Sequence, residues 1–270
     1  MARAFWKGAI SFGMVVIPVR MYLATQSQTP AFHFLHKKCL TRPKQVLYCE
    51  ADKEYFSAKE TVRGYEYSKE QYLVLDENDF KKVPVGTTHA IEIHGFVNSD
   101  EIDPIYYHAS HYLEPEELAA RPFALLREAL LKTKRIGVAK VTFQRREHLC
   151  CLQPFDNSLA LHTMYYSEEV LPRIEVAPPK EKLKKEELEL AVSLVNSMAR
   201  SFNAAEYEDK YRLALEQLIE AKIKGEEVKA PRVPKVEMPD LMSALRASVE
   251  AAMKRPAKKE AVPAGVGARE

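Results

Sequence analysis

With 270 residues and 46% hydrophobic side chains the chain can bury a substantial core, and no apolar run approaches the roughly 18–20 residues of a membrane-spanning helix. Forty basic residues stand against 38 acidic ones, a net charge of +2, but the balance is segmental: residues 1–49 hold seven bases and no acid, residues 50–120 hold 16 acids against 6 bases, and residues 121–150 hold 8 bases against Glu128 and Glu147. Surfaces of one positive sign point to a polyanion partner, while four cysteines in a chain of this length exclude a disulfide framework.

In chain order, the first stretch, Ala4 to Tyr22, is rich in β-branched and aromatic residues and reads as strand, with Pro18 suited to an edge or a strand end. It lacks the apolar region and cleavage site of a signal peptide, so a cytoplasmic location is expected. His89 to Val97 and Ile105 to Leu113 read as strands separated by Asp103-Pro104. A helix follows, with Pro122 in its first turn and Phe123, Leu126, Ala129 and Leu130 at helical spacing. Lys132, Lys134 and Arg135 at its end suit either the negative pole of the helix dipole or an anionic ligand.

From Gly137 the alternation is clean, with Ala139, Val141 and Phe143 facing one way and Lys140, Thr142 and Gln144 the other. His148–Leu152 and Leu159–Tyr165 continue the strands across a turn at Asp156-Asn157. Short consecutive strands of this kind suggest an antiparallel barrel or sandwich. The neighbours Cys150 and Cys151 are expected to face opposite ways, one of them inward.

Beyond Ala177-Pro178-Pro179 the pattern turns helical. Leu190, Ala191, Leu194, Val195, Met198 and Phe202 form one apolar face, and Tyr207, Tyr211, Leu215, Leu218 and Ile219 a second, closed by Gly225. These stripes need a cover, either the barrel or a second copy of the chain. Ala230 to Pro239 is a proline-spaced linker. After it, Leu241, Met242, Leu245 and Val249 line one face of a short amphipathic helix, the pattern of helix-in-groove recognition of a partner.

Catalytic signatures are sparse: nine glycines leave no phosphate-cradling loop, and no nucleophile elbow or zinc-protease helix is present. The one metal-like constellation, His36-x2-Cys39 with Cys49, lacks a clear fourth ligand, Asp52 or His33 being the candidates. No catalytic residue, metal or cofactor is assigned. A zinc-dependent or hydrolytic enzyme built on this cluster, and an RNA-binding barrel, are the alternatives.

Several segments taken together resemble the prokaryotic Ku family, the DNA-end-binding proteins of non-homologous end joining. They begin with Phe5-Trp6-Lys7-Gly8-Ala9-Ile10-Ser11-Phe12-Gly13 and Ile17-Pro18-Val19. Phe32-His33-x2-His36-Lys37-Lys38-Cys39, Gly64-Tyr65-Glu66-Tyr67, Glu101-Ile102-Asp103-Pro104-Ile105-Tyr106 and Tyr112-Leu113-Glu114-Pro115 follow in order. Arg146-Glu147-His148-Leu149, Leu161-His162-Thr163-Met164 and Asp240-Leu241-Met242 complete the set. Cys49-x2-Asp52 departs from the Cys-x2-Cys often found in that family, which weakens any zinc site.

The resemblance implies a mostly β fold with α: a Ku-type barrel core with an arch over residues 1–179, a helical arm over 180–229, and a linker, short helix and disordered tail over 230–270. It further implies a ring-forming homodimer that threads double-stranded DNA ends and recruits the ATP-dependent DNA ligase of bacterial end joining through Leu241, Met242, Leu245 and Val249. An end binder contacts phosphates rather than base edges. The expected DNA contacts are Arg20, Lys37, Lys38, Arg42 and Lys44 from the acid-free segment and Lys132, Lys134 and Arg135 from the helix end.

Overall fold

The computed structural model describes residues 3–83, 89–144, 146–172, 184–226, 245 and 247–249. The chain divides into two compact units, Met1–Arg173 and Ile174–Glu270. In chain order the first unit forms β1 (Trp6–Phe12), β2 (Val15–Leu23), β3 (Leu47–Cys49), β4 (Glu54–Phe56), β5 (Arg63–Ser68), β6 (Gln71–Leu75), α1 (Glu77–Lys82) and β7 (Ala90–Asn98). It continues with β8 (Tyr107–Pro115), α2 (Ala120–Thr133), β9 (Arg135–Phe143), β10 (Arg146–Phe155) and β11 (Ser158–Met164).

Seven strands close into a barrel in the order β1-β2-β8-β11-β10-β9-β7. The expectation of an antiparallel barrel or sandwich resolves to the barrel, with one exception to the antiparallel rule: β7 closes onto β1 in parallel, Ile10 opposite Ile91. A parallel return needs a long connection. Here it is the excursion from Ala24 to His89, an arch that leaves and re-enters at the same end of the barrel because β2 ends and β7 begins there. Pro18 lies where β2 runs past the end of β8, whose pairing starts at Val19 opposite Pro115, so its missing N–H breaks no bond on that side.

The interior is filled by alternate residues of every strand, among them Ile10, Ile17, Val19, Ile91, Leu113, Ala139, Val141, Cys150, Leu152, Leu159 and Leu161, all essentially solvent-free. Each fully buried aliphatic side chain of this size contributes about 1.5–3 kcal/mol. Gly8 is required by close approach: a Cβ there would meet the His89 carbonyl oxygen at 2.2 Å and the Trp6 ring at 2.3 Å. That space lets Trp6 fold inward and donate its Nε1–H to the Thr142 carbonyl at 3.2 Å.

Helix α2 caps the end of the barrel opposite the arch, where β2 starts and β8 ends. Phe123, Leu126 and Leu130 turn into the core as the periodicity requires, but Ala129 is exposed and does not join them. Lys134 ends the helix in the left-handed conformation at φ 53°. The two neighbouring cysteines face opposite ways, as expected. Cys150 packs inside the barrel and Cys151 outside it, yet both are fully buried. The segment between β7 and β8 crosses the outer wall, and its Ile102 and Tyr106 join Tyr107, Ile136 and Met164 to cover Cys151 in a second, smaller core.

In the second unit, α3 (Lys185–Met198) and α4 (Lys210–Lys224) are the two expected helices. Asp209 caps α4, its Oδ1 accepting from the Arg212 N–H at 3.0 Å, and Gly225 closes it at φ 77°. The apolar face of α3 is shorter than its pattern suggests, because the helix stops at Met198. Phe202 lies beyond it and stacks on Tyr207, which itself precedes α4. Leu188, Val192, Val195 and Met198 stay at least half exposed.

Candidate nucleic-acid interface

The arch has almost no core of its own. Its first part, residues 24–46, contains no strand or helix and carries Lys37, Lys38, Arg42 and Lys44, all exposed. A tight turn gathers three of them: the Leu40 N–H donates to the His36 carbonyl at 2.7 Å, the His36 N–H donates to the Thr41 carbonyl at 2.9 Å, and Leu40 takes φ 52°. Lys37 and Lys38 ride on that turn and Arg42 follows it directly. Among the described residues none of these four cations has an ion-pair partner within 4.0 Å.

Arg20 differs. It lies half-buried on the barrel wall, its Nε 3.7 Å from Glu116 Oε1, so part of its charge is already balanced. Beside it, Tyr22 donates its hydroxyl to Glu114. Lys132, Lys134 and Arg135 are exposed at the capped end, the opposite end from which the arch springs. The sequence-expected contacts therefore form two groups separated by the height of the barrel, about 30 Å for the nine residues of β2 at 3.3 Å each. Of the residues expected to bind a partner, Leu241 and Met242 lie outside the described residues, while Leu245 and Val249 are helical and half-buried.

The rest of the arch is two isolated hairpins, β3–β4 and β5–β6, followed by α1. A two-stranded sheet alone is marginal in water, and these expose a large apolar surface. On the hairpins Tyr65 is 63% exposed and Tyr72 61%, with Tyr55 and Leu73 also exposed, and in the loop before them Phe34 is 88% exposed. In a single copy these apolar side chains stand in solvent. This surface is absent from the sequence-expected residues. The one signal that could have found it is the pairing of Tyr65 and Tyr67 with Tyr72, Leu73 and Val74 across a short polar turn.

The metal-like residues form two separate pairs. His36 Nδ1 is 3.1 Å from Cys39 Sγ, and the Cys49 thiol donates to Asp52 Oδ2 at 3.1 Å. Among the described residues no three His, Cys, Asp or Glu side chains gather into a set that could hold a metal ion. The cysteines are chemically unequal. The Thr41 hydroxyl, 2.8 Å away, the Thr41 backbone and then His36 stabilise the Cys39 thiolate and bring its pKa down to about 7. Burial pushes Cys151 up to about 11 and Cys150 further up.

A depressed thiol pKa means the reactive thiolate is already half formed near neutral pH. Alkylation of Cys39 by iodoacetamide, followed by peptide mass spectrometry, will rise with pH to a half-maximum near 7 and level off above it, while Cys150 and Cys151 stay unmodified in the folded protein. A half-maximum near 9 would mean that Thr41 and His36 do not act on the thiol.

Two histidines of the barrel, His111 and His148, pack among aromatic side chains. His111 is 4% exposed and packs against Phe5 and Phe143, and Phe143 stacks on His148 at 4.1 Å. Burial lowers the pKa of both, so they sit neutral at pH 7.

The Ku70/Ku80 beta-barrel domain family matches residues 11–190. Among similar proteins, the non-homologous end joining protein Ku of Solibacter usitatus is 42% identical over 263 residues, covering 96% of this chain and 98% of its own. Those of the same name from Koribacter versatilis and Archaeoglobus fulgidus are 37% and 38% identical, covering 94% and 92% of this chain and 88% and 99% of their own. The family match runs from the end of β1 through the arch and the other barrel strands to the start of α3, and on this ground the chain belongs to the Ku family.

Proposed function

We propose that the chain binds the ends of double-stranded DNA without regard to sequence, in double-strand break repair by non-homologous end joining, as a homodimer whose two arches close a ring around the duplex. The observation that carries this reading is the arch. It combines an exposed basic loop whose cations have no described ion-pair partner with apolar hairpins that need a second surface to cover them. The first feature suits phosphate, the second a copy of the same chain. End joining is what the similar proteins are named for. The role is binding; the joining chemistry falls to other enzymes.

Lys37, Lys38, Arg42 and Lys44 supply the main phosphate contacts and Arg20 a weaker one, because Glu116 competes for it. Lys132 and Lys134 serve a duplex lying along the barrel wall, roughly nine base pairs further on at 3.4 Å per pair. Arg135 stands beside them but also walls an apolar cavity. A mobility shift with linear against covalently closed duplex tests the end dependence.

The same reading gives the tail a task. Leu241, Met242, Leu245 and Val249 dock on the ATP-dependent end-joining ligase, and the linker before them raises that enzyme's local concentration at the break. Ending the chain after Pro239 should leave DNA binding intact and abolish stimulation of ligation, measured as joined product per unit time with and without the protein. Full stimulation by the shortened chain would place the ligase contact elsewhere.

A further inference from the structure

The arch leaves the barrel at one point and re-enters it at another, and an inward-facing histidine stands at the level of each. Leu23, the last residue of β2, lies opposite His111 on β8, and the next residue, Ala24, donates its N–H to the Ser110 carbonyl at 3.1 Å. At the second root β7 begins at Ala90. Ile91 lies opposite Val141 on β9, and Val141 opposite His148 on β10. Residues directly opposite share a face. His111, opposite Leu161, and His148, opposite Val141, therefore both turn into the barrel. Phe143 contacts both imidazoles, stacked on His148 at 4.1 Å and steeply tilted to His111 at 6.0 Å, and Phe5 packs on His111 at 5.4 Å.

Neither ring is equipped for a second proton. His111 Nδ1 and His148 Nε2 are buried with no hydrogen-bond partner among the described residues. A neutral imidazole donates from one nitrogen, an imidazolium from both, so protonation would place a buried charge where no acceptor awaits it. The neighbours from β2, β7 and β9 are apolar: Met21, Leu23, Ile91, Val141 and Phe143. His89, exposed at the second root, stands against Trp6. His148, His162 and His108 repel a charge on His111, and Arg146 and His108 repel one on His148. Glu169 attracts a charge on His148 but is already paired with Arg146. The backbone of Leu161 favours a charged His111 and that of Phe143 a charged His148, yet burial outweighs both and holds the two rings below the usual histidine range.

We propose that His111 and His148 form an acid-sensitive latch on the arch: neutral, they pack its two roots onto the barrel, and protonated they release them. In the released form the rings meet water and titrate at the ordinary histidine value of 6.5. The latch is closed above that value. It weakens as pH falls through it, because the open form takes up protons that the closed form refuses. From pH 7.5 to 5.5 each histidine multiplies the open population about tenfold, and the two together about 100-fold. The consequence for DNA rests on the ring reading above: an arch loose at both roots no longer holds a duplex.

The test is hydrogen–deuterium exchange of the full-length protein at pH 7.5 and 5.5, read by peptide mass spectrometry and corrected for the intrinsic exchange rate at each pH. Protection should fall about 100-fold at Ala24 and at Ala9, whose N–H is bonded to the His89 carbonyl at 2.9 Å. Glu116, bonded to the Pro18 carbonyl at the capped end, should keep its protection. His111→Phe combined with His148→Phe replaces both imidazoles with rings that take no proton, and should keep both roots protected at pH 5.5. His148→Phe alone should show a fall of only about tenfold, and serves if the double variant does not fold. Unchanged protection in the wild type, a fall of the same size in the variants, or an equal fall at Glu116 would each overturn the latch. Affinity for a blunt duplex, read on the same samples, should drop with pH in the wild type only, against the positive charge that acid adds to exposed histidines. Loosened roots with undiminished end binding would leave the latch standing and count against the ring.

Discussion

Replacing Lys37, Lys38, Arg42 and Lys44 together with alanine should weaken DNA-end binding on the order of 10³-fold at 0.15 M salt and flatten its salt dependence by three to four units of log–log slope. The magnitude follows from counterion release, roughly 0.9 of slope for each phosphate neutralised. The effect should be confined to binding, because all four side chains are exposed and no described ion pair depends on them. Arg20→Ala should do less, since its charge is shared with Glu116 at 3.7 Å. The measurement is affinity for a short blunt duplex at several salt concentrations. A slope unchanged in the fourfold variant would move the phosphate contacts off the arch.

Tyr65→Asp combined with Leu73→Asp should convert the dimer to a monomer and abolish end binding, with the barrel still folded. The two residues lie directly opposite each other on adjoining strands of one hairpin and so share a face. In a single copy they are exposed, so the substitutions cost the monomer little. Against a second copy each would bury an unpaired carboxylate, at several kcal/mol apiece. Since about 1.4 kcal/mol is tenfold in an equilibrium constant, the dimer should weaken by at least 10³-fold. Light scattering reads the mass and thermal unfolding confirms the barrel. A variant that remained a dimer would show that the copies join through another surface.

Legibility in the sequence tracked burial. The barrel strands were readable because one face of each is core: Ala139 and Val141 alternate with Lys140 and Thr142, and the structure turns them as that pattern requires. The hairpins of the arch were not, because both of their faces are exposed and alternation has nothing to sort. Helix α2 was located by Phe123, Leu126 and Leu130, whereas Ala129, expected with them, is exposed. That Cys151, outward-facing as alternation requires, is nevertheless buried was not legible, because it depends on the segment with Ile102 and Tyr106 crossing over it, a matter of topology.

The candidate site shows the same division. The acid-free run of the first 49 residues pointed to the arch cations from composition alone. That Arg20 is balanced by Glu116 depends on β2 pairing with β8, a contact between residues 96 positions apart. The tight turn from His36 to Thr41, which sets three of the cations and the Cys39 thiol, shows in sequence only as a run of polar residues.

The central claim is that the protein recognises an end by threading it through a ring. The most direct measurement is a mobility shift at fixed salt with one DNA sequence in two forms, linear and covalently closed circular. Threading predicts that the linear form is bound and the closed circle is not, and that cutting the circle once restores binding. Equal affinity for both forms would contradict it, leaving an ordinary basic surface that binds DNA from the side.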